Sequence, residues 1–193
     1  MRLFVALDLP DPILQTLDAL TAKLKPAARI QWSTVSKLHI TTKFIGEWPE
    51  SRLGELTSAL HAIPRTGPIP IRVEGLGWFP NPHSPRVFLA AIRTDCPSVH
   101  DSGRSSNEEA VKNLETLAQA TGQATVSLGI PAETRDFHPH VTLARIKTRV
   151  DLAPLRQAVA QLESTAFGVF EARSQFLYLS QNSVYTKLEE FPL

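Results

Sequence analysis

Two short stretches place a histidine and a threonine two residues apart. SKLHITTKFIGE, residues 36–47, holds His39 and Thr41, and DFHPHVTLARI, residues 136–146, holds His140 and Thr142. Both stretches read as apolar β-strands, in which residues i and i+2 share one face. His39 and Thr41 therefore point one way while Leu38, Ile40 and Thr42 point the other, and His140 with Thr142 opposes Val141 and Leu143. If the two faces meet, two imidazoles and two hydroxyls surround one site.

That set of groups suits one reaction type. Displacing one oxygen on phosphorus by another needs a base for the nucleophile's proton and an acid for the leaving oxygen. Imidazole serves either role because its ordinary pKa lies near neutrality. Charge developing on the non-bridging oxygens needs donors aimed at it, and threonine hydroxyls beside each histidine supply them without a metal. The blander alternative is a pair of half-buried histidines satisfied by their neighbours.

The bulk composition narrows the classes. The chain has 193 residues, 42% hydrophobic and 20% charged, which is globular composition with room for one sizeable core or two lobes sharing one. A formal charge of +1 argues against a large basic face for nucleic acid, so any such contact is expected to be small. Cys96 is the only cysteine, which excludes an intrachain disulfide and a thiolate metal cluster and fits a reducing compartment. The opening MRLFVALDLPDP breaks at Asp8 and Pro10, too short a run for a signal peptide or membrane span. It reads as a first strand, and the protein as cytoplasmic with no membrane partner.

The elements that must position the two motifs follow from periodicity. A strand over 2–8 precedes a helix over 11–24, with Ile13, Leu14, Leu17, Leu20 and Leu24 on one face behind an Asp-Pro start. The first motif strand ends at Gly46 and Pro49, and 50–63 repeats the helical period through Leu53, Leu56, Leu60 and Ile63. Residues 70–79 and 85–94 predict a hairpin with the turn-rich tip PNPHSP. The polar 96–109 segment reads as a mobile insertion between lobes. A helix over 107–122 has an Asn cap, early acids and a Gly122 stop. After the second motif come a helix over 152–164 and three closing strands. The order β-α-β-β-α recurs loosely, although only H-x-T repeats at residue level.

RLFVALDLP, LHITTKFIGE, GLGWFPNPHSPRV and FHPHVTLARIK, in this order, resemble the RNA 2′,3′-cyclic phosphodiesterases, also called 2′-5′ RNA ligases, of the two-histidine (2H) phosphoesterase superfamily. The resemblance runs over nearly the whole chain. It implies a single bilobal, pseudo-symmetric α+β domain over 1–193, two antiparallel sheets facing a central cleft and helices outside. It carries the catalytic set onto His39, Thr41, His140 and Thr142. It implies opening of a 2′,3′-cyclic phosphate at an RNA 3′ end, or on a nucleotide, to a 2′-phosphate, with no metal or nucleotide cofactor. Joining through a 2′-5′ bond is formally the reverse chemistry, and no lysine-aspartate-glycine adenylylation motif points to an ATP-driven ligase. A binding module that keeps the cleft without turnover is the alternative, which the intact histidine pair disfavours. The chain departs from the family pattern at Leu89, where relatives often have Trp, at Lys37, where Asn is common, and in a longer polar stretch around 98–106.

Four further residues are expected to bind substrate. Lys43 has the parity of His39 and Thr41 and could meet a phosphate; Arg145 has parity opposite to His140 unless its strand bulges. Arg145, Lys147 and Arg149 form a short basic run that could track an RNA backbone. Phe4 and Phe137 are candidates to line the cleft and stack a base. His138 with His140 forms H-x-H, but without cysteine or a nearby acidic pair the tetrahedral set is unfilled, so no metal is expected. His61, His83 and His100 are assigned nothing. A monomer is expected, since no exposed apolar helix face is evident.

Overall fold

In the computed structural model, residues 1–93 and 107–193 are described; most of the polar 96–109 segment, with Cys96 and His100, lies outside them. The apolar run RLFVALD forms β1 (Arg2–Asp8), and α1 (Asp11–Leu24) follows with Pro12 in its first turn and Ile13, Leu17, Leu20 and Leu24 on its buried stripe. Then come β2 (Gln31–Trp32), β3 (His39–Glu47), α2 (Leu53–His61), β4 (Ile69–Phe79), β5 (Val87–Arg93), α3 (Asn107–Val126) and β6 (His140–Arg145). The chain closes with α4 (Ala153–Ala160), β7 (Ala166–Ala172), β8 (Ser174–Gln181) and β9 (Val184–Pro192).

The strands form one curled antiparallel sheet in the order β7-β4-β5-β6-β3-β1-β8-β9, with β2 added to β6. The two antiparallel sheets expected of the fold are its two halves, β7-β4-β5-β6 and β3-β1-β8-β9, meeting at the two motif strands. Their seam is one antiparallel pair, Ile40 with Val141. Both side chains are fully buried, and each contributes roughly 1.5–3 kcal/mol of apolar burial where ladder hydrogen bonds are few. The loose sequence recurrence is also a spatial one, with β5-α3-β6-α4 standing across the seam from β1-α1-β3-α2. The strands β4 to β7 are inserted between β3 and β8, and the C-terminal hairpin returns to complete the first half.

One face of the sheet carries the helices and two large apolar clusters. The first includes Leu7, Leu17, Ile40, Ile71, Phe88, Leu117 and Val141; the second gathers Leu3, Val5, Leu56, Leu60 and Leu177 under α2. The helix α1 packs against β7 so closely that a Cβ on Gly168 would lie 3.0 Å from Ile13 Cγ1, and Gly168 has φ +138°. Both facts call for glycine there. The other face carries a separate aromatic cluster of Phe4, Ala6 and Tyr178, flanked by Phe176 and Tyr185.

Two helix ends differ from the periodicity reading. The helix α3 runs through Gly122 to Val126, because buried Thr121 and Thr125 extend its packed face past the glycine. Its last turns close instead on Gly129, at φ +89°, whose N–H donates to the Val126 carbonyl. The helix α4 stops at Ala160, with Leu155 its only buried residue; Leu162 packs partly buried against the main core from just past its end.

Candidate active site

Antiparallel pairing about Ile40 and Val141 fixes the site. One residue further along each strand, the register sets His39 toward Thr142 and Thr41 toward His140. The neighbours confirm the faces: Asp8 and Ala6 stand across from His39 and Thr41 on β1, and Ala91 and Leu89 across from His140 and Thr142 on β5. All four motif side chains are half-buried on the face opposite the helices, while Ile40 and Val141 fill the core. The arrangement has an approximate two-fold through the seam.

Each imidazole is oriented the same way. His39 Nδ1–H donates to the Lys37 carbonyl at 2.7 Å, and His140 Nδ1–H donates to the His138 carbonyl at 2.8 Å. A carbonyl only accepts, so both Nδ1 atoms carry protons and both Nε2 atoms are left with the lone pair or a transferable proton. The short 3₁₀ turn Val35–Lys37 precedes the first ring, and Pro139, outside any regular element, separates the second ring from its carbonyl partner. The Thr41 hydroxyl donates to His39 Nε2 at 3.0 Å.

The two strands share a second device. In the β1–β3 ladder Val5 faces Lys43 but Ala6 faces Thr41, so Thr42 is a bulge; in the β5–β6 ladder Phe88 faces Ala144 but Leu89 faces Thr142, so Leu143 is a bulge. Each bulge comes one residue after the motif threonine and reverses the parity of the two residues that follow it. Polar groups hold both bulges. Ser33 N–H donates to the Leu143 carbonyl and its hydroxyl to the Thr142 carbonyl, both at 2.8 Å. Thr42 and Thr121 hydroxyls converge on Gln175 Oε1, all three residues buried.

These bulges sort the expected substrate contacts. Arg145 is turned to the motif face and is exposed there; its charge acts on His39. Lys43 is turned the other way, 7% exposed, with its ammonium donating to the Pro131 carbonyl at 2.9 Å. The parity expectation for Lys43 is therefore corrected: the bulge at Thr42 moves it off the motif face. Phe44 takes the place two-fold related to Arg145 and is 61% exposed. Phe4 is on the motif face, but its ring is 4% exposed and packed against His39 at 4.8 Å and Tyr178 at 5.2 Å. Phe137 packs partly buried against the main core. Neither phenylalanine offers the open stacking surface expected of it.

The environments of the two histidines differ. His39 lies between Phe4 and the edge of Tyr185, 5.5 Å away between ring centroids. Burial pulls its pKa down from 6.5 to about 4; the Lys37 carbonyl and the Asp8 carboxylate act in the raising direction, and Arg145 and His140 add to the fall. Asp8 is itself gripped, accepting a hydrogen bond from the Tyr178 hydroxyl and pairing with Lys187. Burial and then that hydrogen bond raise the Tyr178 pKa. Asp8, Ser33, Phe44, Tyr178, Tyr185 and Lys187 stand around the motif residues, and local sequence pattern does not single them out. A signal for Phe44 is nonetheless present: setting HITTKF against HVTLAR matches Lys43 with Ala144 and Phe44 with Arg145.

Among the described residues, no cluster of three or more His, Cys, Asp or Glu is placed to hold a metal ion, and no helix is long and apolar enough to cross a membrane.

Residues 7–89 and 106–175 match the family model described as LigT like Phosphoesterase. The RNA 2′,3′-cyclic phosphodiesterase of Thermus thermophilus is 31% identical, covering 100% of this chain and 90% of its own length. The Archaeoglobus fulgidus protein of the same name is 29% identical, with 99% of each chain covered. Among solved structures, TT0787 of Thermus thermophilus superposes with a TM-score of 0.69 at 27% identity, covering 100% of this chain and 98% of that one. Escherichia coli LigT complexed with 3′-AMP gives 0.71 at 22% identity, with 100% and 97% covered.

Proposed function

Because this chain belongs to the LigT-like phosphoesterase family, an enzyme family whose relatives above are named RNA 2′,3′-cyclic phosphodiesterases, we propose that it opens 2′,3′-cyclic phosphates at RNA 3′ ends or on nucleotides to 2′-phosphates. The observation that carries the reading is the Ile40–Val141 seam, which gathers two imidazoles, each held through Nδ1, and two threonine hydroxyls on one face.

In this reading the cyclic phosphate sits over the seam. His140 Nε2 takes a proton from water as the water oxygen bonds to phosphorus. The P–O3′ bond breaks, and His39 Nε2–H gives its proton to O3′, leaving a 2′-phosphate and a free 3′-hydroxyl. His140 ends protonated and His39 neutral, and exchange with solvent restores both. His39 is neutral in the unliganded protein at pH 7, so it takes up its proton with the substrate, whose negative phosphate favours the imidazolium. The threonine hydroxyls donate to the non-bridging oxygens, and Arg145 adds positive charge at the His39 end. Metal ions have no step in this scheme. With a 5′-hydroxyl in place of water, the same groups would join a 2′,3′-cyclic phosphate end to it: the hydroxyl oxygen bonds to phosphorus, the P–O3′ bond breaks, O3′ takes the proton, and a 2′-5′ bond is left.

Phe44 lies at the His140 end and offers an open aromatic face to a nucleobase; base-aromatic stacking contributes about 1–3 kcal/mol. Phe44→Ala is expected to raise KM for a cyclic nucleotide by about 5- to 150-fold with kcat largely kept. A kcat loss with unchanged KM would remove the stacking role.

The test of the reaction itself is incubation of 2′,3′-cyclic AMP, and of an RNA oligomer ending in a cyclic phosphate, with the protein in EDTA. The expected product is the 2′-phosphate alone. A 3′-phosphate product, or turnover that EDTA abolishes, would overturn the scheme.

A further inference from the structure

Among the described residues, one carboxylate acts on the ring of His39, and it is doubly tethered. Asp8 stands across from His39 in the β1–β3 ladder. Its Oδ1 accepts from the Tyr178 hydroxyl on β8, and its Oδ2 pairs with Lys187 on β9. Tyr178 also stacks on Phe4, the ring that covers His39, with its own centroid 6.4 Å from His39. Lys187 is fixed over the face of Phe176 at 4.1 Å. Three strands thus converge to hold one negative charge beside a half-buried imidazole.

The groups facing His39 can be named element by element: Asp8 on β1, Tyr178 on β8, Tyr185 and Lys187 on β9, and His140 and Arg145 on β6. Of the charges that act on His39, Arg145 and His140 disfavour its imidazolium and Asp8 favours it. Neither His39 nitrogen is left for a direct bond to Asp8, since Nδ1 is on the Lys37 carbonyl and Nε2 on Thr41. Asp8 therefore acts through the field across the sheet.

We propose that Asp8, clamped by Tyr178 and Lys187, is a positioning residue for proton donation: its charge lets His39 hold the proton that O3′ will receive. This rests on the reaction proposed above. It predicts that Asp8 and Lys187 act with opposite signs. Asp8→Asn keeps an acceptor for the Tyr178 hydroxyl and removes the charge, whereas Lys187→Met removes the cation that offsets Asp8. Lys187 is half exposed, so its loss costs little packing.

The experiment follows the His39 imidazole by NMR through a pH titration in inorganic phosphate, for the wild type, Asp8→Asn and Lys187→Met, beside kcat/KM for 2′,3′-cyclic AMP at pH 7. The expected result is a His39 midpoint that falls in Asp8→Asn and rises in Lys187→Met. With it, kcat/KM should fall about 3- to 10-fold in Asp8→Asn, because fewer molecules carry the donor proton. A merely structural Asp8 would move the midpoint the same way in both variants, and that result overturns the proposal. So does a fallen midpoint in Asp8→Asn with kcat/KM unchanged, which would mean that His39 does not donate. If the wild type shows no turnover while the midpoints still move apart, the electrostatic role of Asp8 stands and the proposed reaction falls.

Discussion

Replacing either histidine by alanine is expected to lower kcat/KM for 2′,3′-cyclic AMP by about 10²–10⁴-fold at pH 7, the usual contribution of one acid or base. The two losses should be separable by leaving group. A cyclic substrate with sulfur in place of O3′ expels a thiolate that needs no proton, so it should restore most of the rate in His39→Ala and little in His140→Ala. Restoration of His140→Ala instead would reverse the two roles. A pH profile does not make this distinction, because an acid and a base with exchanged proton states give the same bell. Stability behaves differently. The His39 pKa lies below its unfolded value, so between pH 6.5 and about 4 the unfolded chain binds the extra proton and stability rises with pH. That stability is present above about 6.5 and is lost as the pH falls toward 4, so the comparison of variants belongs near neutrality.

Local pattern is enough to find the motif strands but not to orient everything on them. Alternation in LHIT and HVT places His39, Thr41, His140 and Thr142 correctly, because a strand has period two until something interrupts it. The interruption is the bulge after each threonine, and nothing in TTKF taken alone announces it. Parity misplaces Lys43 for that reason, whereas it places Arg145 conditionally on a bulge that β6 does contain. Phe44 escapes notice because an apolar residue in a strand ordinarily belongs to the core. The site's outer ring is illegible for a different reason. Asp8 meets Tyr178 and Lys187 only because β8 and β9 return to β1 across most of the chain, a pairing that no window of sequence contains. The helices are legible where one apolar stripe runs between caps, as in α1, and less so where packing carries a helix past a glycine, as in α3.

The threonines should matter nearly as much as the histidines. Removing one donor from a developing oxyanion commonly costs about 10²–10³-fold in kcat, so Thr142→Val is expected to fall in that range with a smaller change in KM. Valine keeps the branched shape on the strand and deletes only the hydroxyl. Thr41→Val should cost less than its oxyanion share. In the unliganded protein its hydroxyl donates to His39 Nε2, which favours the neutral ring, so the substitution both removes a donor and frees His39 to protonate more readily. The two effects have separate signatures: a lower kcat from the lost donor and a His39 titration midpoint moved upward. Serine at either position should recover most of the rate, since it restores a hydroxyl on the same face of the strand. A Thr142→Val enzyme with undiminished kcat would show that the phosphate oxygens draw their donors from elsewhere, with Arg145 a candidate on the motif face. In that event the two-fold would be one of backbone and imidazoles only, and Thr142 would serve the strand rather than the reaction.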